Sequence, residues 1–75
     1  MNKVRRESIN KIAEELDEIR VDIESIRDEE QEYHDNMPES IQSGDKGQEA
    51  DEAVSTLEEA IEAIQTAIDA LGNIA

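Results

Sequence analysis

The chain has 75 residues, no Cys, Trp or Phe and a single Tyr, and it sets 7 basic side chains against 21 acidic ones for a net charge of −14. Without Cys, disulfides and thiolate-ligated zinc are excluded; a single core of this size rarely supplies more than ~3–5 kcal/mol, so self-association is the first expectation. The apolar runs are too short for a transmembrane helix and the start MNKVRRESIN lacks the apolar stretch of a signal peptide, so a cytoplasmic protein with no membrane partner is expected.

In the first half, Ile9, Ile12, Leu16, Ile19, Ile23, Ile26, Glu30 and Tyr33 advance by three and four residues without a miss. This spacing predicts a helix over about residues 3 to 36, with Ile9, Leu16, Ile23 and Glu30 at heptad position a and Ile12, Ile19, Ile26 and Tyr33 at d. Asn2 or Ser8 is placed to cap its start, and Pro38, which disfavours helix for Met37 before it, ends it. Glu30 at a core position means either that the pair of helices opens there or that a buried carboxylate sets the register.

The next segment, MPESIQSGDKG, carries Pro38, Ser40, Ser43, Gly44, Asp45 and Gly47 and reads as a connection, with the turn at about residues 37 to 43. Ala50, Val54, Leu57, Ile61, Ile64, Ile68, Leu71 and Ala75 then repeat the three-and-four spacing. They predict a second helix over about residues 44 to 72, capped by Ser43 or Asp45 and closed by Gly72 and Asn73. Two amphipathic helices joined by a short connection make one all-α domain over residues 1–75, an antiparallel coiled-coil-like hairpin. Pairing Ile9 with Leu71, Ile12 with Ile68, Leu16 with Ile64 and Ile19 with Ile61 centres the turn on Ser40; a one-heptad slide, with Tyr33 against Val54, is the alternative register.

A second apolar row runs along the g positions of the second helix at Ala53, Ala60, Ala67 and Ile74, next to Leu71 at the end of the seam. Small side chains in a row allow another helix to approach closely. The hairpin is therefore expected to self-associate, as a homodimer forming a four-helix bundle. The plainer reading is that Ala serves helix propensity alone.

Charge is unevenly spread. Lys3, Arg5, Arg6 and Lys11 stand against Glu7 alone within residues 1–11, and the remainder holds three basic and twenty acidic side chains. The basic start complements the C-terminal end of the second helix, and without interleaved aromatics it does not predict direct nucleic-acid binding. Catalysis is not expected. The serines have no Cys or second His to work with, the three glycines form no phosphate loop, and Gln31 stands where a di-iron bundle would need Glu before His34. No metal or cofactor is expected. The carboxylates of the first helix, Glu14, Glu18, Asp22 and Glu29 among them, lie off the seam. At i,i+4 they stand ~6 Å apart, close to the spacing of successive phosphates along a strand, so an acidic rod of this kind can compete with nucleic acid for a basic groove. Charged faces of this kind also serve simply as solubilising surface.

The stretch EEQEYHDNMPESIQ, residues 29–42, followed by GDKGQEADEAVSTLEEAIEAI, resembles small uncharacterised acidic helical proteins of bacteriophages and prophages. Asp35 to Glu39 is the most specific part, and His34 stands where that group has an aromatic. The resemblance implies no transferable activity. It implies a phage setting, in which small acidic proteins serve as inhibitors of host proteins, and it directs attention to Tyr33, Met37 and Pro38 as partner-binding residues beside Glu14, Glu18, Asp22 and Glu29. Met37 and Ile41 folding back to plug the hairpin is an equally good reading of that turn. The expected partners are thus a second copy and a host protein with a basic surface; the alternative function is a structural module joining phage components.

Overall fold

The computed structural model describes residues 1–74; Ala75, assigned above to the seam, lies outside the described residues. The architecture is helical: α1 spans Lys3–Asp35, α2 is a single turn over Glu39–Gln42, and α3 spans Asp45–Gly72. The two long helices pack against each other as a hairpin measuring 58 × 14 × 12 Å.

The helix ends follow from local chemistry. Asn2 caps α1, its side-chain oxygen accepting a hydrogen bond from the Arg5 amide at 2.8 Å. Ser8 instead bonds back to the Val4 carbonyl within the helix. At the other end the Asn36 amide donates to the Glu32 carbonyl at 3.0 Å and the Met37 amide to the His34 carbonyl at 3.1 Å. Pro38 then pre-sets φ at −57° and stands at the N-cap of α2, where its missing N–H is no loss. Gly44, rather than Ser43 or Asp45, occupies the N-cap of α3; its extended backbone accepts from the Gln48 amide at 3.0 Å, and no side chain caps the helix.

Gly47, read from the sequence as part of the connection, is a buried residue of the first turn of α3. A Cβ there would stand 1.9 Å from the Gln42 carbonyl oxygen, so α2 and α3 meet backbone to backbone and only glycine fits. The Gln42 side chain reaches the other way and donates to the His34 carbonyl at 3.0 Å and the Asp35 carbonyl at 3.3 Å. It gives the Asp35 carbonyl a donor and adds a second to the His34 carbonyl, which already accepts from the Met37 amide at 3.1 Å. Gln42 therefore ties both long helices to the turn. The connection is centred on residue 40, the centre required by pairing Ile9 with Leu71, and Ile9 at the far end is half-buried.

The face that α1 turns to α3 differs from the predicted one. Its half-buried residues include Ile9, Ala13, Leu16, Arg20, Ile23, Arg27, Glu30 and His34, the a and e positions. The d residues Ile12, Ile19, Ile26 and Tyr33 remain 49, 48, 52 and 53% exposed. Relative to an a/d seam, α1 is rotated by roughly 50° about its axis, half the 100° step between residues. The e row is where α1 carries its mid-helix cations, and the matching row of α3 holds Asp51, Glu58 and Gln65. Rotation lays the aliphatic stems of Arg20 and Arg27 along the helix pair, where they cover apolar surface nearly as well as isoleucine would, while their guanidiniums pair with Asp17, Glu24 and Asp28 of α1 itself. Glu30 sits half-buried on this face, and α1 is continuous through it.

On α3 the a and d residues do face the pair. Ala50, Val54 and Ile61 are the buried apolar side chains, with Leu57, Ile64, Ile68 and Leu71 half-buried. This is a thin core, and among the described residues no large side chain is fully enclosed.

Candidate interaction surfaces

Two surfaces follow from this arrangement. The first is apolar and lies on one side of the hairpin. In an antiparallel pair the g flanks of both helices fall on the same side, and the rotation of α1 swings its d row towards that side. Ile12, Ile19, Ile26 and Tyr33 therefore line the same face as the g row of α3. Of the interface residues expected from the sequence, Ala53, Ala60 and Leu71 are half-buried and Ala67 and Ile74 are exposed, Ile74 by 44%. The d row of α1 is the part that sequence reasoning missed, because a perfect three-and-four spacing was assigned wholly to the internal seam. The signal was present in the e row, where Arg6, Ala13, Arg20, Arg27 and His34 recur every seven residues.

The second surface is acidic. Glu14, Glu18, Asp22 and Glu29 are all exposed, and among the described residues none of the four is within 4.0 Å of a cation. Ideal helix geometry places them within an arc of about 80°. A surface recess on this flank is lined by Asn10, Ala13, Glu14, Asp17 and Glu18, all on one helix, so it has no opposing wall to enclose a small molecule.

Lys3, Arg20 and Arg27 pair within α1. Arg20 Nη2 stands 2.7 Å from Asp17 and Nη1 2.7 Å from Glu24, and its side chain is 23% exposed. The hydrogen bond that the guanidinium donates to Asp17, with the attraction of both carboxylates, holds it above its ordinary pKa against the opposing effect of burial. Arg27 pairs with its neighbour Asp28 at 3.0 Å, not with a residue one turn away. His34 Nδ1 is 3.5 Å from Asp35, long for a hydrogen bond, and the imidazole packs along the seam edge.

The turn residues separate. Tyr33 and Pro38 are exposed, Met37 is half-buried, and Ile41 is 43% exposed. Met37 thus contributes to closing the hairpin and Ile41 does not. Among the described residues, no three His, Asp or Glu side chains are grouped so as to hold a metal ion, and no helix is long and apolar enough to cross a membrane. Comparison of the chain with protein-family models, with curated proteins and with solved structures found no match.

Proposed function

We propose that this chain is a non-enzymatic, acidic helical interaction protein of phage origin. It works in the bacterial cytoplasm as an inhibitor, laying its carboxylate-covered flank into the nucleic-acid groove of a basic host protein. The observation that carries this reading is the row Glu14, Glu18, Asp22 and Glu29, exposed and unpaired on a continuous helix about 50 Å long. Carboxylates held on a rigid rod present charge at phosphate-like intervals, and a net charge of −14 exceeds the magnitude of ~2–8 that suffices for solubility in a small domain. Such a field steers association with a basic partner and repels nucleic acid itself. The hairpin self-associates in this reading, as a homodimer closing a four-helix bundle through Ala53, Ala60, Ala67, Leu71 and Ile74.

One observation favours a second reading, that of an assembly module joining phage components. It is the apolar row Ile12, Ile19, Ile26 and Tyr33, about half exposed along the length of α1. The two readings separate in a pull-down from bacterial lysate at low and high salt. Mimicry predicts recovery of basic nucleic-acid-binding proteins that elute with salt, are displaced by DNA, and are lost when Glu14, Glu18, Asp22 and Glu29 are changed to Gln. Salt-resistant partners indifferent to those changes, but lost with Ala60→Lys and Ala67→Lys, transfer the function to assembly.

A further inference from the structure

We infer that a second copy of this chain docks antiparallel on the face formed by Ile12, Ile19 and Ile26 of α1 and the alanine row of α3, with the two-fold axis crossing the hairpin at the level of Ile19 and Ala60. This rests on the self-association proposed above and adds to it the d row of α1, the symmetry and the direction.

Area gives the first argument. A folded monomer of 8.4 kDa exposes about 4,600 Å² by the surface–mass relation. This hairpin exposes 5528 Å², roughly 900 Å² more. A standard interface buries about 800 Å² per partner, so the excess is the size of one dimer face. Among the described residues the buried apolar side chains are Ala50, Val54 and Ile61, whereas the exposed face offers three isoleucines and a tyrosine beside small residues.

Symmetry gives the second. An antiparallel two-fold through Ile19 sets Ile12 against the partner's Ile26 and Arg5 against the partner's Tyr33. On α3, a two-fold at Ala60 sets Ala53 against the partner's Ala67. With the turn centred on residue 40, Ile19 and Ala60 lie at nearly the same height, twenty-one and twenty residues from the centre. One axis therefore serves both rows.

Charge decides the direction. The turn end, residues 28–52, holds ten acidic side chains and one lysine, net −9. The free end, residues 1–11 with 64–74, holds four cations against Glu7 and Asp69, net +2. A parallel dimer would stack −9 on −9; the antiparallel one lays each basic end on the partner's acidic end, with Arg5 over the Tyr33 ring and its neighbouring carboxylates. Glu15 does approach the partner's Asp22 at the rim, where solvent screens the repulsion.

The chain has no cysteine, so single cysteines report the geometry directly. Ile19→Cys alone should form covalent dimers on oxidation or with a short bis-maleimide. Ile12→Cys and Ile26→Cys should each fail alone, because their symmetry mates stand about 21 Å away along the axis, and should cross-link when mixed. Cross-linking of mixed Ile12→Cys and Ala67→Cys instead, in a chain that is still dimeric, overturns the antiparallel arrangement and leaves self-association standing. A helical monomer that cross-links nowhere, or one whose row is covered only when a host protein is added, overturns both.

Discussion

Ile19 and Arg20 are consecutive in the chain, yet the charged residue packs along the helix pair and the apolar one faces out. The Arg20 side chain is 23% exposed and held by Asp17 and Glu24, both at 2.7 Å, while Ile19 is 48% exposed. This inversion turns cationic side chains along the helix pair and leaves the isoleucine row Ile12, Ile19 and Ile26 about half exposed.

Substitution at these two positions should therefore separate stability from association. Arg20→Ala removes two hydrogen-bonded carboxylate partners and a packed aliphatic stem, and is expected to lower the melting temperature. Ile19→Ser is expected to weaken the dimer by at least tenfold, while the circular dichroism spectrum at high protein concentration keeps its helical form. Thermal melts beside sedimentation equilibrium check both.

The turn gives a second prediction. Gly47→Ala places a Cβ 1.9 Å from the Gln42 carbonyl oxygen, backbone that cannot step aside without moving α2. Overpacking of this kind costs ~1–3 kcal/mol. Gln42→Ala, which removes the side-chain donor of the Asp35 carbonyl and the second donor of the His34 carbonyl, should cost less, about 0.5–1.5 kcal/mol. Urea denaturation of the two variants should give that order.

Acid and salt should stabilise the fold. The 21 acidic side chains repel one another near neutral pH, so the melting temperature is expected to rise as pH falls towards 5 and as salt is added. Arg20 does not oppose this. Its raised pKa contributes stability that is fully present below the ordinary arginine value and is lost only as pH rises through the folded one. A flat or inverted profile between pH 8 and 5 would show that local ion pairs offset the repulsion.

Folding is expected to need no metal, nucleotide or organic cofactor. Native mass spectrometry of protein purified from cells, before and after chelation, checks this: a stoichiometric adduct whose removal abolished helicity would contradict it.

The hairpin was legible in the sequence because a three-and-four spacing of Ile, Leu and Val on either side of Pro38 and Gly44 has few other solutions. The rotation of α1 was not, because it depends on a competition between rows: Ile12, Ile19 and Ile26 against Ala13, Arg20 and Arg27. Hydrophobic periodicity counts only the first row. The second packs along the pair because the long stems of Arg20 and Arg27 cover apolar surface while their charged heads stay paired with Asp17, Glu24 and Asp28 of the same helix. Gly47 was misread for a related reason. Glycine in a polar segment reads as turn punctuation, and its actual requirement, the approach of the Gln42 backbone, exists only once α2 has folded against α3.

The central claim, that this hairpin is half of a symmetric assembly, is tested most directly by multi-angle light scattering across a concentration series. A mass of about 17 kDa, twice 8.4 kDa, falling towards the monomer only on dilution or with Ile19→Ser, is the predicted result. A fully helical 8.4 kDa species at high micromolar concentration would contradict it.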